Sequence, residues 1–284
     1  MLKKIFFAAA LLLASELGAK PVVIASIAPV EYLAKAVGGD KIEVQSLAKG
    51  DVHSYEPKPN DMKAVAKARI FIAAGLEFEE AWIPRFKASA KNLVVVKSDA
   101  KIAKLKEERG EQAEHDEKHE AHADPHVWLN PMLAITMARN ISDALIDMDK
   151  ANKDFYLENF QKLMNDLLAF DESAKESLAG LKNRKFVVYH PAWGYFAAHY
   201  DLEQISIERS GKEPKIDEMA STLKMIKDEN IKVIFADPNR SQKSAQILAS
   251  HTGAKVELLD PLGYNLLENL KIAVGAIKDA NSPK

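Results

Sequence analysis

The sequence contains no cysteine among its 284 residues. Disulfide bonds and thiolate metal sites are therefore excluded, so any metal would have to be held by histidine and carboxylate side chains. The sequence has no surplus of positive charge either, because 39 lysines and arginines face 41 acidic residues. This near balance means that nucleic acid is not an expected partner.

Sequence motifs of common enzyme classes are also missing. The chain has no HExxH metalloprotease motif, no GxSxG nucleophile motif and no glycine-rich loop that would cradle a phosphate. The sequence thus gives no direct indication of catalysis.

Residues 1–19, MLKKIFFAAALLLASELGA, have the pattern of a secretory signal peptide. Two lysines precede an apolar run from Ile5 to Ala14, which is shorter than the ~20 residues of a membrane-spanning helix. We predict cleavage after Ala19; a buried first helix is the alternative interpretation. No cysteine follows that could carry a lipid, so we expect a soluble exported protein.

Short apolar runs alternate with helical patterns in both halves of the remaining chain. This alternation predicts an α/β fold of two lobes, residues 20–151 and 181–284, each with a mainly parallel sheet flanked by helices. The predicted strands lie within residues 21–29, 42–48, 69–76, 92–98, 185–190, 203–208, 232–237 and 254–260.

The segment 152–180 between the lobes has the periodicity of one long helix. Its apolar residues are spaced three or four apart, and Gly180 gives a C-terminal stop. About 28 residues would span roughly 40 Å, enough to join the two lobes rigidly. The predicted buried positions are Tyr156, Phe160, Leu163, Leu167, Phe170, Ala174 and Leu178.

Residues 104–123 depart from the α/β pattern. They are dense in charge and carry one apolar side chain larger than alanine, so we expect a mobile surface loop. His115, His119 and His122 lie in this loop beside acidic residues. Such a loop could bind metal weakly, and a purely solvated acidic loop is the alternative.

Three other histidines lie where loops follow predicted strands. These are His53, His126 and His190, and Asp260 ends a strand in the same way. Ligands of open α/β sheets bind outside the carboxyl ends of strands. Three imidazoles and one carboxylate, drawn from both lobes, would suit a zinc-like cation.

Each of these four residues has a simpler interpretation. His53 could be a solvated loop residue, His190 could be a hydrogen-bonded core residue, and Asp260 could cap the last helix. The remaining histidines, His199 and His251, fit helix C-terminal ends, where a histidine complements the helix dipole.

One ion pair is also predicted in the second half. Glu208 and Arg209 are adjacent in ISIERSGKEP and would form a pair at the surface or between the lobes.

Five stretches of the sequence carry a resemblance to a known family. They are HSYEPKPNDMKAVAKA, DPHVWLNP, YHPAWGYFAAHYDL, IKVIFADP and LLDPLG. Together they resemble the ZnuA-like solute-binding proteins of bacterial zinc and manganese ABC importers, and the resemblance covers the chain from about Val23 to the final helix.

The resemblance implies one metal in a cleft between two lobes. His53, His126 and His190 match the family's three zinc histidines, and Asp260 matches a carboxylate that some members place as fourth ligand. Manganese-selective relatives have glutamate at the position of His190. Val52 stands where some zinc members have a glutamate that reaches the metal, and Asp237, where relatives commonly have glutamate, is expected to be structural.

The implied function is a periplasmic zinc receptor without catalysis. It would act as a monomer and deliver Zn²⁺ to an inner-membrane ABC permease with its cytoplasmic ATPase. A manganese or iron receptor of the same family is the first alternative, and a secreted zinc hydrolase is a second. An adhesin or surface antigen is a third alternative, and such a role could coexist with transport.

Overall fold

A computed structural model of the chain describes residues 20–106, 123–208 and 216–281. The predicted signal peptide and the predicted loop histidines His115, His119 and His122 lie outside these ranges. Within them, no helix has both the length and the apolar character needed to cross a membrane.

The first lobe is a four-stranded parallel sheet with strand order β2-β1-β3-β4. Its strands are β1 (Val22–Ala25), β2 (Glu43–Ser46), β3 (Ile70–Ala73) and β4 (Val94–Lys97). Its helices are α1 (Ala28–Gly38), α2 (Pro59–Val65), α3 (Glu77–Ser89) and α4 (Pro131–Met148).

The second lobe repeats this topology with strand order β6-β5-β7-β8, again all parallel. Its strands are β5 (Lys185–Val188), β6 (Glu203–Ser206), β7 (Val233–Ala236) and β8 (Lys255–Leu258). Its helices are α6 (Gly194–His199), α7 (Ile216–Asp228), α8 (Lys243–Thr252) and α9 (Leu266–Asn281). The predicted α/β fold class is confirmed.

The linking helix α5 (Lys153–Ala179) is one continuous element of 27 residues, and Gly180 is its C-cap. All seven apolar positions predicted to be buried are buried. The helix packs against α1 and α4 of the first lobe and against α9 of the second. It therefore fixes the lobes to each other instead of tethering them loosely.

The predicted strands are longer than the observed ones. The apolar run 21–29 forms a strand only to Ala25, because α1 already begins at Ala28 with Pro29 in its first turn. Proline pre-sets the helical backbone angle and is favoured at this position.

A continuous hydrophobic core runs from one lobe into the other and contains the fully enclosed rings of Trp128 and Trp193. The indole nitrogen of Trp128 donates a hydrogen bond of 2.8 Å to the carbonyl oxygen of Pro261 in the second lobe. This shared packing sets the distance between the facing ends of the two sheets.

Candidate metal centre

Three histidines from distant parts of the chain meet between the lobes. His53 lies in the loop after β2, His126 precedes the short 3₁₀ turn Val127–Leu129, and His190 lies just beyond β5. Each offers one ring nitrogen, and these atoms all lie within 4.8 Å of one another. The predicted convergence of these three residues is present in the fold.

His126 is held from behind by Asp124. Oδ1 of Asp124 lies 2.7 Å from Nδ1 of His126 and also accepts a 2.9 Å hydrogen bond from the His126 backbone amide. A carboxylate at Nδ1 favours the tautomer with the proton on that atom. Nε2 is then unprotonated and available to a metal.

His190 is also buried and directed towards the same point. Its Nε2 lies 3.4 Å from Nε2 of His126, while its Nδ1 lies 3.3 Å from Oε2 of Glu208. Burial lowers the pKa of His190 because it penalises the charged imidazolium. The ring is therefore neutral at physiological pH, as a metal ligand must be.

His53 reaches solvent at the outer side of the cluster. Its ring centroid is 5.0 Å from that of His190 and 5.6 Å from that of His126. Desolvation in the cleft, followed by repulsion from the other two histidines when they are protonated, lowers its pKa to about 3. Its backbone amide donates a 3.1 Å hydrogen bond to Oδ1 of Asp51, which orders the loop.

An ionic network surrounds the histidines. Nη1 of Arg240 donates a 2.6 Å hydrogen bond to Oε1 of Glu208 and lies 2.9 Å from Nδ1 of His190. Nη2 of the same guanidinium lies 3.4 Å from Oδ1 of Asp51 in the other lobe. Burial alone would raise the pKa of Glu208, but hydrogen bonds from His190 and Arg240 outweigh it and lower that pKa. Glu208 is thus a buried anion behind a neutral ring.

Asp260 lies outside the cluster whose ligand atoms are within 4.8 Å of one another. Its Oδ1 accepts hydrogen bonds of 2.9 Å each from Nδ2 of Asn239 and from the amide of Leu262. Asp237 accepts a 3.0 Å hydrogen bond from the same Nδ2 and a 2.7 Å bond from the Asn239 amide. Asn239 thus ties the two carboxylates together, in keeping with a structural Asp237.

The predicted partner of Glu208, Arg209, lies outside the described residues. Glu208 itself is 2% exposed and forms an ion pair with Arg240. The two remaining histidines lie where they were predicted. His199 ends α6, and its Nε2 lies 2.6 Å from Oδ1 of Asp171 on α5. His251 lies near the end of α8, and its Nδ1 lies 2.8 Å from the carbonyl oxygen of Ile247.

Sequence reasoning did not find the groups that hold the histidines, namely Asp51, Asp124 and Arg240. Two of them carried a usable signal, because Asp51 and Asp124 each stand two residues before a candidate ligand histidine. A carboxylate at that spacing commonly accepts the amide of the second residue after it. Arg240 is 50 residues from His190 and has no comparable local signal.

The sequence and the fold are similar to those of known proteins. Residues 23–280 match the family described as zinc-uptake complex component A, periplasmic, or ZnuA. The chain belongs to the ZnuA family. It is 30% identical over 284 residues to the high-affinity zinc uptake system protein ZnuA of Bacillus subtilis (strain 168), an alignment covering 93% of this chain and 88% of the relative.

Solved structures of ZnuA share the whole fold. A crystal structure of ZnuA superposes with a TM-score of 0.87 at 35% identity and covers 93% of this chain and 100% of the other. A zinc-bound ZnuA with residues 138–173 of its own chain deleted gives a TM-score of 0.86 at 34% identity, covering 93% and 99%. The chain is accordingly a metal-binding receptor of an ABC importer and not an enzyme.

Proposed function

We propose that this ZnuA-family receptor captures Zn²⁺ between its lobes with His53, His126 and His190. The convergence of three ring nitrogens within 4.8 Å is the observation that carries the proposal. Imidazole nitrogen is a preferred ligand of zinc, whereas manganese favours sites with more carboxylate and water oxygens. A relative named for high-affinity zinc uptake and a zinc-bound ZnuA structure support the same metal.

The charges around the cluster suit a divalent cation. Three neutral rings bring no charge to the metal, but the carboxylates of Asp124 and Glu208 contact two of them directly. A carboxylate behind a ligating histidine orients the ring and raises its basicity. The site thus favours a cation, and the carboxylates of Asp124 and Glu208 act on it through the rings that they contact.

The fourth ligand in this proposal is Asp260 or a water molecule. The two hydrogen bonds that described residues donate to the Asp260 carboxylate go to Oδ1, so Oδ2 is the oxygen that would bind the metal. Zinc sites are usually four-coordinate, so three histidines need one further ligand. If the Asp260 carboxylate is the fourth ligand, Asp260→Asn should weaken the affinity for zinc. If water is the fourth ligand, the substitution should change the affinity little.

Export and delivery complete the proposed role. Residues 1–19 would direct the chain to the periplasm and be removed, and the monomer would hand Zn²⁺ to the inner-membrane permease driven by its cytoplasmic ATPase. The three loop histidines His115, His119 and His122 would form a separate weak zinc-binding segment.

Competition between metals tests the choice of zinc over manganese or iron. Metal-free protein should take up one tight Zn²⁺ and keep it in the presence of excess Mn²⁺, as measured by elemental analysis after dialysis. His190→Glu should narrow that preference, because it replaces an imidazole by a harder oxygen ligand. Equal retention of both metals by the parent protein would contradict the proposal.

A further inference from the structure

Both ends of the segment 107–122 meet beside a ligand of the site. Lys106 and Ala123 form an isolated antiparallel bridge. The amide of Asp124 donates a 2.9 Å hydrogen bond to the carbonyl oxygen of Leu105. The chain thus leaves and re-enters the first lobe at one point, two residues before His126.

One side chain of the other lobe closes this junction. The hydroxyl of Tyr195, on α6, accepts a 2.8 Å hydrogen bond from the amide of Leu105 and donates one of 2.8 Å to the carbonyl oxygen of Asp124. These partners are 90 and 71 residues away in sequence. Tyr195 is only 4% exposed, so replacement of these bonds by water is costly.

The same residue also holds the chain beyond His126. Nδ2 of Asn130 lies 3.4 Å from the carbonyl oxygen of Tyr195, and Oδ1 of Asn130 caps α4 by accepting the amide of Met132 at 2.9 Å. Tyr195 therefore contacts the chain on both sides of His126. Burial, partly offset by the bond from Leu105, raises the pKa of its hydroxyl to about 12, and the group remains a donor at physiological pH.

We infer that the Tyr195 hydroxyl is a positioning group for the metal ligand His126, acting through Asp124. By fixing the Asp124 backbone it fixes the carboxylate that bonds both Nδ1 and the amide of His126. Tyr195 lies five residues after His190, so one short segment of the second lobe supplies one ligand and orients another. This inference rests on the proposed zinc site.

Gly194, the residue before Tyr195, agrees with this tight arrangement. A Cβ atom at Gly194 would lie 3.2 Å from Oδ2 of Asp124, closer than most such contacts. The segment of the second lobe that carries Tyr195 is thus packed directly against the carboxylate that orients His126.

Tyr195→Phe removes only the hydroxyl and leaves the ring in the core. We expect zinc affinity, measured by chelator competition, to fall about three- to tenfold. This is less than the ~10–100-fold loss that follows removal of a direct partner of a metal-bound histidine, because Tyr195 acts one bond further away. Zinc dissociation should become faster by a similar factor.

Two comparisons separate positioning from general stabilisation. Tyr200→Phe removes another buried hydroxyl next to the same helix, where the ring packs on Phe196 and His199, and it should leave zinc affinity unchanged. In an Asp124→Ala background, Tyr195→Phe should change zinc affinity by less than about twofold, since linked residues are not additive.

The outcomes separate this inference from the proposed function. A parent protein without a tight zinc site overturns the proposed function. A parent that binds zinc tightly, with Tyr195→Phe matching it or losing only thermal stability, overturns the role of Tyr195. If Tyr195→Phe lowers zinc affinity equally with and without the Asp124 carboxylate, Tyr195 does not act through Asp124.

Discussion

The two lobes share one strand order, but the three histidines between them are held in two different ways. His126 and His190 are 4% and 8% exposed, and each ring has a carboxylate at Nδ1. His53, from the loop after β2, reaches solvent and is ordered through its backbone by Asp51. Two of the proposed ligands are therefore pre-organised inside the cleft, and the third lies at its entrance.

This difference predicts an unequal division of the binding energy. A pre-organised ligand loses little conformational freedom when the metal arrives, whereas an exposed loop ligand must be ordered. Arg240 reduces that cost, because it contacts both Glu208 behind His190 and Asp51 beside His53. The following predictions test the division.

Removal of a buried ligand should have the largest effect. Structural zinc sites supply ~10–16 kcal/mol, so one of about four ligands is worth roughly 10²–10³-fold in affinity. We expect losses of this size for His126→Ala and His190→Ala. His53→Ala should lower zinc affinity only about tenfold, because water can take the place of an exposed ligand.

Titration with a competing chelator measures these affinities. His251→Ala, which removes an exposed histidine near the end of α8, is the matched control and should bind zinc like the parent. A loss for His53→Ala as large as that for His126→Ala would remove the proposed distinction between buried and exposed ligands.

Removal of the carboxylate behind a buried ligand should have the next largest effect. Asp124→Asn keeps the shape of the side chain but removes its charge from Nδ1 of His126, and we expect a ~10–100-fold weaker zinc affinity. Asp143→Asn on α4 breaks an exposed pair with Arg139 and should have no effect. Unchanged affinity in both variants would show that Asp124 serves the fold only.

Acid should destabilise the metal-free protein through its neutral histidines. The pKa of His53 is lowered to about 3 and that of His190 is also lowered. Between the unfolded value of about 6.5 and these folded values, the unfolded state binds more protons. The free energy of unfolding should therefore fall as pH decreases through this range.

Urea titrations in the presence of chelator at pH 7, 6 and 5 measure how steeply the free energy of unfolding changes with pH. His53→Gln should reduce this slope by up to the equivalent of about one bound proton, whereas His251→Gln should not. An identical slope for the parent and His53→Gln would mean that His53 is not held neutral in the cleft.

Replacement of residues 107–122 should have the smallest effect on the tight site. The bridge between Lys106 and Ala123 allows a two-residue Asn-Gly hairpin turn to take their place. Calorimetry should then show one tightly bound zinc ion whose dissociation constant is within about twofold of the parent value. The additional, weakly bound zinc ions should be lost. Unchanged stoichiometry would contradict metal binding by His115, His119 and His122.

The sequence allowed the fold and the three histidines to be predicted because both depend on local patterns. The spacing of Tyr156, Phe160 and Leu163 on α5 is set by helix geometry alone. Strand ends likewise marked His53 and His190, because parallel strands bring such positions to one edge.

The groups that hold the ligands could not be predicted in this way. The contact of Arg240 with Asp51 spans 189 residues and depends on how the lobes dock. The bonds of Tyr195 to Leu105 and Asp124 also cross between lobes. Neither hydropathy nor spacing encodes such docking, so the contact of Glu208 with Arg240 could not be predicted.

One Zn²⁺ is proposed to bind between His53, His126 and His190. Anomalous diffraction from crystals of the zinc-loaded protein, collected on both sides of the zinc absorption edge, would locate that ion. We predict one strong peak that disappears below the edge and lies within zinc–nitrogen bonding distance, about 2.0–2.1 Å, of a ring nitrogen of each histidine. A strong peak elsewhere, or one bonded to fewer than three of these rings, would contradict the account.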